Sequence, residues 1–435
     1  MSLLAEEAET LLTIRPPARN SLLLVLGLFL AAASPAFGQA TSEVRLDSSP
    51  QLFTVLCAVR AAGMSPGRAG ADPVNAAVER ALARVPPDQV AALRAFFADP
   101  EHANPAEHLS PYISVGLVLQ LPPDLEWVFP RQQLPPDVWE VQTFQPLLRE
   151  FYARAEVGSL WQQVQPFYEQ AIARRQAEVS QALLETRAYL RMIGQSYPGR
   201  TYTIYLEWLL PPGLTSARNY GDTYFLVIHP GRSDLLDAIR HQYLHFLLDP
   251  LVAKHAEAVR AWAGLLPRAA QAPRLPQPFR EDLLLLVTES LIQAVELRLQ
   301  RLEPRAAVAE LDERERSGYV FARHFFYALK RYEQEEPSLR YYFPELLQGF
   351  DVAAERARLE QVEFAPLPPE PVPPPPPPET PEEMARPLLR EAERSMAAGD
   401  YAAARQGFER ALERNPREPR ALYGLAILAS LEEDR

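Results

Sequence analysis

The tract APLPPEPVPPPPPPETPEE, residues 365–383, constrains this chain more than any other feature. Proline locks φ at about −65° and has no N–H to donate, so neither a helix nor a sheet strand can run through such a run. The tract reads as an extended polyproline II spacer, rising about 3.1 Å per residue. Ligands of proline-binding domains share that composition. The 435-residue chain is therefore expected to fold as separate units on either side. We place a large unit at 41–363, the proline-rich linker at 364–383 and a small tail at 384–435.

The first 40 residues stand apart. In RPPARNSLLLVLGLFLAAASPAFGQA, Arg15 and Arg19 precede an apolar run over 21–33 that is short for a membrane span. Small residues follow, with Ala36 and Gly38, or Gly38 and Ala40, at the spacing of a cleavage site. The pattern predicts an export signal and a periplasmic or extracellular protein. An uncleaved N-terminal membrane anchor is the alternative. A net charge of −12 and a pI near 5.3 argue against a nucleic-acid partner, which needs clustered positive charge. The single cysteine, Cys57, sits in the apolar run LFTVLCAVRAAG and is expected in a core; no intramolecular disulfide can form.

Within the large unit, 41 to about 110 reads as helical, with PVNAAVERALARV and PDQVAALRAFFAD each beginning at a proline. ISVGLVLQL, 113–121, reads as a strand. From WEVQTF to LRMIG the pattern is nearly continuous amphipathic helix, broken near Val157–Gly158, with Phe144, Leu147, Leu148, Phe151 and Tyr152 on one face. TYTIYLEWLL (201–210) and TYFLVIHP (223–230) read as strands that pair antiparallel across the turn-like PPGLTSARNYGD. GRSDLLDAIRHQYLHFLLDP follows as a helix with Ser233 as N-cap and Pro250 as its stop. LPRAAQAPRLPQPFRED reads as an exposed loop, and EDLLLLVTESLIQAVELRLQRL as a long buried helix. The fold class is thus α+β, predominantly helical, with a small antiparallel sheet.

His241 and His245 carry the chemistry. Four residues apart on a helix, they lie one turn apart on one face, where two imidazoles can reach one Zn²⁺. Glu289, in VTESLIQAVE, is a carboxylate amid apolar residues, a position that demands a strong partner. The strand before HQYLH and the acidic helix after it resemble the gluzincin group of zinc metallopeptidases over roughly 200–300. In that group an edge strand flanks the cleft, H-E-x-x-H lies on a helix, and a glutamate on a later helix is the third ligand. The resemblance implies a zincin-like domain with His241, His245 and Glu289 as metal ligands. Glu296 and Asp249 would orient the ligand imidazoles.

Two departures stand out. The distance from His245 to Glu289 is about twice that usual in thermolysin-like enzymes, and Gln242 occupies the place of the general-base glutamate. Gln242 has no accessible pKa for proton transfer, and loss of a general base costs ~10²–10⁴ in rate. Three readings stay open: a catalytically impaired peptidase-like protein that binds polypeptide in its cleft, a zinc hydrolase using another base such as Glu289 or Glu296, and a metal-free helical interaction protein. His324, Tyr319 and Tyr327, in SGYVFARHFFYAL, are weaker candidates for a hydrogen-bond donor; burial as core aromatics is the plainer expectation for the two tyrosines. His229 closes a strand, while His102, His108 and His255 read as exposed.

The tail, MAAGDYAAARQGFERALERNPREPRALYGLAILASL, resembles a tetratricopeptide repeat. Gly399, Asp400 and Tyr401 make the turn, and Ala404, Phe408, Ala411 and Pro416 fall at the small, aromatic, small and proline positions. Leu422, Leu425 and Ala426 begin the next helix. The resemblance implies an all-α interaction unit that meets a protein partner or a second copy of the chain.

Overall fold

The computed structural model describes residues 44–64, 72–192, 199–367 and 381–433. The expected export signal and most of the proline tract lie outside them. The chain divides at Ala365/Pro366 into two compact units.

The first unit opens with β1 (Val44–Asp47), followed by α1 (Pro50–Ala61), α2 (Pro73–Leu82), α3 (Pro87–Phe97), α4 (Ser110–Leu117), α5 (Pro136–Glu140), α6 (Phe144–Arg154) and the 33-residue α7 (Val157–Tyr189). Three strands follow: β2 (Thr201–Leu206), β3 (Thr215–Tyr220) and β4 (Thr223–Ile228). Then come α8 (Leu235–Lys254), α9 (Ala256–Arg260), α10 (Leu266–Ala269), α11 (Gln277–Glu281) and α12 (Leu283–Leu299). The unit closes with α13 (Pro304–Arg316), α14 (Ala322–Tyr332), α15 (Leu339–Gln348) and α16 (Val352–Leu359).

The fold is α+β and predominantly helical, but its sheet is mixed, in the order β1-β2-β4-β3. The two strands expected to pair antiparallel, β2 and β4, run parallel, with Tyr202 opposite Tyr224 and Leu206 opposite Ile228. The stretch read as a turn contains β3, which pairs antiparallel with β4 and takes the edge. This extra strand reverses the chain once more, and the reversal makes the flanking pair parallel.

Side-chain alternation sends the two faces of the sheet into different cores. Tyr202, Ile204, Leu226 and Ile228 join the core built by α8, α12 and α14. Val227, with Tyr205 and Phe225, joins the core of the N-terminal helices, where Cys57 is buried as expected. Helix α7 serves both cores: Leu160, Val164 and Tyr168 enter the N-terminal one, and Ala171, Val179 and Leu183 the other.

Four local expectations are corrected. Residues 113–117 are helical, within α4; the run Ile113–Leu117 is buried on all sides, and an apolar run of that length carries no period to separate helix from strand. Pro250 lies inside α8, which continues to Lys254. The N-cap of α8 is Asp234, not Ser233, and its side chain makes no capping bond. The proline-rich stretch after α9 is not an exposed loop: it folds into α10 and α11 and buries Ala269, Ala272 and Leu275 in the core. Among the described residues no helix is long and apolar enough to cross a membrane.

Among the described residues the second unit holds three helices, α17 (Pro381–Ala397), α18 (Tyr401–Arg414) and α19 (Pro419–Glu433). Gly399, at φ +80°, makes the left-handed turn into α18, and Asp400 caps it by accepting from Ala403 N–H at 3.0 Å. Ala385, Leu389 and Ala392 pack with Ala404, Phe408 and Ala411. In α19 the buried face carries Ala421 and Leu428, whereas Leu422, expected to begin the packed face, is half exposed.

Candidate metal centre

Helices α8 and α12 pack side by side and bring His241, His245 and Glu289 together, each with one ligand atom within 4.8 Å of the others. The local sequence sets each partner. Asp282 caps α12, accepting from Leu284 and Leu285 N–H, and so starts the helix that carries Glu289 seven residues later. Every residue from Leu286 to Val295 on that helix is buried, because neighbouring helices cover it on all sides. Glu289 is 4% exposed. An ionised carboxylate placed there costs several kcal/mol unless opposite charge meets it.

The contacts of Glu289 divide between its two oxygens. Oε1 accepts from Gln293 Nε2 at 2.9 Å. Oε2 lies 3.3 Å from His245 Nε2 and 3.6 Å from His241 Nε2, yet it has no aligned hydrogen bond. The three ligand atoms lie within 4.8 Å of one another. Two ligands on a tetrahedral zinc, each about 2.0–2.1 Å from the ion, stand about 3.3–3.4 Å apart. The two carboxylate-to-imidazole separations bracket that value, and the two imidazole nitrogens lie within 4.8 Å of each other.

Both imidazoles are oriented from behind. His241 Nδ1 lies 3.0 Å from Glu296 Oε1, and His245 Nδ1 lies 2.9 Å from Asp249 Oδ1. A proton held on each Nδ1 by these carboxylates leaves each Nε2 with its lone pair toward Glu289. The rings stand 5.0 Å apart at 75°.

Without an ion, protons fill the electrostatic gap. Burial disfavours the charged form of His245, but Asp249 and Glu289 outweigh it and push the ring up to about 9. For His241 burial again opposes the charge, and Glu296 and Glu289 raise it. Burial would lift Glu289, but the two histidines hold its carboxyl below the usual range. A dication satisfies the same three groups, so metal and protons compete for them. The residues present thus form a group that could hold a metal ion.

Gln242 flanks the two histidines on α8. Its Oε1 accepts from the Tyr224 hydroxyl of β4 at 3.1 Å. Tyr319 is half-buried in the connection before α14, not on that helix; burial raises its hydroxyl first, and the charge of Glu289 adds to it. It is the one weaker candidate brought within reach of the centre. His324 instead bonds Leu346 O at 2.6 Å among Trp262 and Phe350, and Tyr327 is 43% exposed rather than a core aromatic. His229 is buried and accepts from Gly231 N–H at 3.0 Å, which gives it a turn-forming role. His108 is exposed, whereas His102 and His255 are half-buried.

Sequence reasoning missed Tyr224 and Gln293. Gln293 was within its reach, one turn beyond Glu289 on the same helix. Tyr224 becomes a neighbour of Gln242 only through the packing of β4 on α8. No protein-family model, curated protein or solved structure matches the chain.

Proposed function

We propose that the first unit binds one Zn²⁺ through His241, His245 and Glu289, and that it engages polypeptide with little or no hydrolysis, as an impaired relative of gluzincin peptidases. The observation that carries this reading is Glu289 Oε2: buried, without a hydrogen bond, and 3.3 and 3.6 Å from two imidazole nitrogens. Zinc supplies a Lewis-acidic contact for an oxygen ligand on the open side, where His241 and His245 remain 28% and 20% exposed. Asp249 and Glu296 hold the rings, and Gln293 fixes the carboxylate. Gln242 cannot take a proton near neutral pH, which supports binding without efficient turnover. The C-terminal unit, with its tetratricopeptide-like Ala404, Phe408 and Ala411, extends the reading to contact with a protein partner.

The test is metal analysis paired with peptide hydrolysis. Zinc-loaded protein should retain one equivalent after desalting, and Glu289→Gln and His241→Ala should retain none. Wild type should leave peptide libraries uncut, and Gln242→Glu should gain cleavage. Failure of the wild type to hold zinc removes the metal site from this account. Rapid turnover that depends on His241 and His245 removes the impairment.

A further inference from the structure

The ligand that the open side of the centre accepts follows from how Gln242 is held. On α8 Gln242 lies about 100° around the axis from His241 and about 60° from His245, so it borders the site without entering it. Its Oε1 is engaged by the Tyr224 hydroxyl at 3.1 Å. That phenol is itself fixed: its ring stacks on Tyr202 at 5.4 Å and 24°, and stands edge-on to Phe246 at 6.0 Å. With one lone pair of its carbonyl engaged, the half-buried Gln242 side chain keeps both Nε2–H donors, and these meet no partner among the described residues. A glutamate in the same pose would present a lone pair and a negative charge there. Gln242 presents donors and no charge.

The surroundings sharpen the consequence. Glu289, Glu296 and Asp249 already contribute three carboxylates, each with an oxygen within 3.3 Å of an imidazole nitrogen. A fourth at position 242 would repel an arriving anion. The Arg200 guanidinium lies over the Phe246 ring at 5.0 Å and acts electrostatically on Tyr224, the residue that holds Gln242.

We infer that the open side of the centre is a carboxylate receptor, in which one oxygen of the ligand meets the divalent ion and the other accepts from Gln242 Nε2–H. This rests on the metal-binding reading above. A carboxylate supplies two coplanar acceptor oxygens about 2.2 Å apart, which suits one ion and one flanking donor better than a single-oxygen ligand does. The ligand class is a free small acid or the C-terminal carboxylate of a peptide. Tyr224 is a positioning residue, because it decides which end of the amide faces the ligand.

The experiment uses the full chain loaded with Co²⁺, whose visible d–d absorption reports its ligands without any turnover. Acetate, N-acetyl-Ala-Ala with a free C-terminus, and the C-terminal amide of the same peptide are titrated separately. Both acids should shift the spectrum saturably, and the amide should not. Tighter binding of the peptide acid than of acetate assigns the peptide terminus as the source; equal binding assigns the small acid. Gln242→Met, which removes the donor without adding charge, should weaken acid binding about 10- to 100-fold, the range expected for a hydrogen bond to a charged group. Gln242→Glu should weaken it at least as much, and Tyr224→Phe should weaken it less. A clear cobalt spectrum with acid affinity unchanged in Gln242→Met, or with the amide binding as well as the acid, overturns the receptor and leaves the metal site standing. Absence of the cobalt spectrum in the wild type overturns the metal site, and the receptor with it.

Discussion

In the metal-free protein the charge on His245 stabilises the fold at neutral pH, and alkali removes that stabilisation. Burial opposes the charge, but Asp249 and Glu289 hold the folded-state pKa at about 9. An unfolded histidine titrates near ~6.5. A base whose folded pKa is raised contributes in full below the unfolded value and loses that contribution as pH climbs through the folded one. The window is therefore about pH 6.5 to 9, and the gap of roughly 2.5 units corresponds to about 3 kcal/mol. His241 shifts in the same direction, but each ring disfavours charge on the other, so the two contributions do not add fully. For a unit of roughly 320 residues, an unfolding entropy of about 2.1 cal/mol/K per residue turns this into a fall in Tm of about 4–5 °C. Calorimetry of the full chain in chelator from pH 6.5 to 9 measures it directly. Saturating zinc should abolish this fall, because the ion occupies the nitrogens that protons would take. His245→Ala in chelator should lack the same component. Parallel pH profiles with chelator and with zinc, or a His245→Ala profile parallel to that of wild type, would refute the coupling of protons and metal at this site.

Three further outcomes follow from single residues and a fourth from the division of the chain. Asp249→Asn and Glu296→Gln should each weaken zinc about 10- to 100-fold in competition with a chromophoric chelator; a change under twofold would show that the rings keep their pose without them. Burial pushes the Glu207 carboxyl up to about 7, against the opposing pull of Leu209 N–H, the Tyr168 hydroxyl and Arg60. A raised acid costs stability as pH rises from the unfolded value near ~4.3 through 7, so Glu207→Gln should gain about 3 kcal/mol relative to wild type between pH 4 and 8, read from urea midpoints, and an unchanged profile would contradict it. In the C-terminal unit a Cβ on Gly424 would collide with the Phe408 ring, so Gly424→Ala should cost that unit about 1–3 kcal/mol, visible as faster amide exchange in α18 and α19. Truncation after Ala365 should leave zinc affinity and the Tm of the first unit within error, because that unit is compact in itself; a large fall in either would show dependence on the second unit.

What could be read before folding, and what could not, divides along a physical line. Glu289 was legible because a carboxylate in a run such as LLLLVTESLIQAV contradicts its own surroundings, and one helix period connects His241 to His245 without any tertiary knowledge. The pairing of β2 with β4 was not legible. TSARNY has the polar composition of a turn, and its place as the edge strand β3 comes from the six residue pairs it makes with β4. The run Ile113–Leu117 misled for the opposite reason, since burial on every side erases the period that separates helix from strand. The centre combines both kinds of information. Its ligands come from one-dimensional spacing plus one contradictory residue, whereas the role of Gln242 depends on Tyr224, which reaches it only because β4 lies against α8 with Tyr224 opposite Tyr202 in the parallel ladder. Read alone, glutamine in the second position of HQYLH is a loss, the absence of a base. With one lone pair of its carbonyl taken by a fixed phenol, the same residue keeps amide donors and no charge beside His241 and His245, and that separates it from a glutamate at the same position.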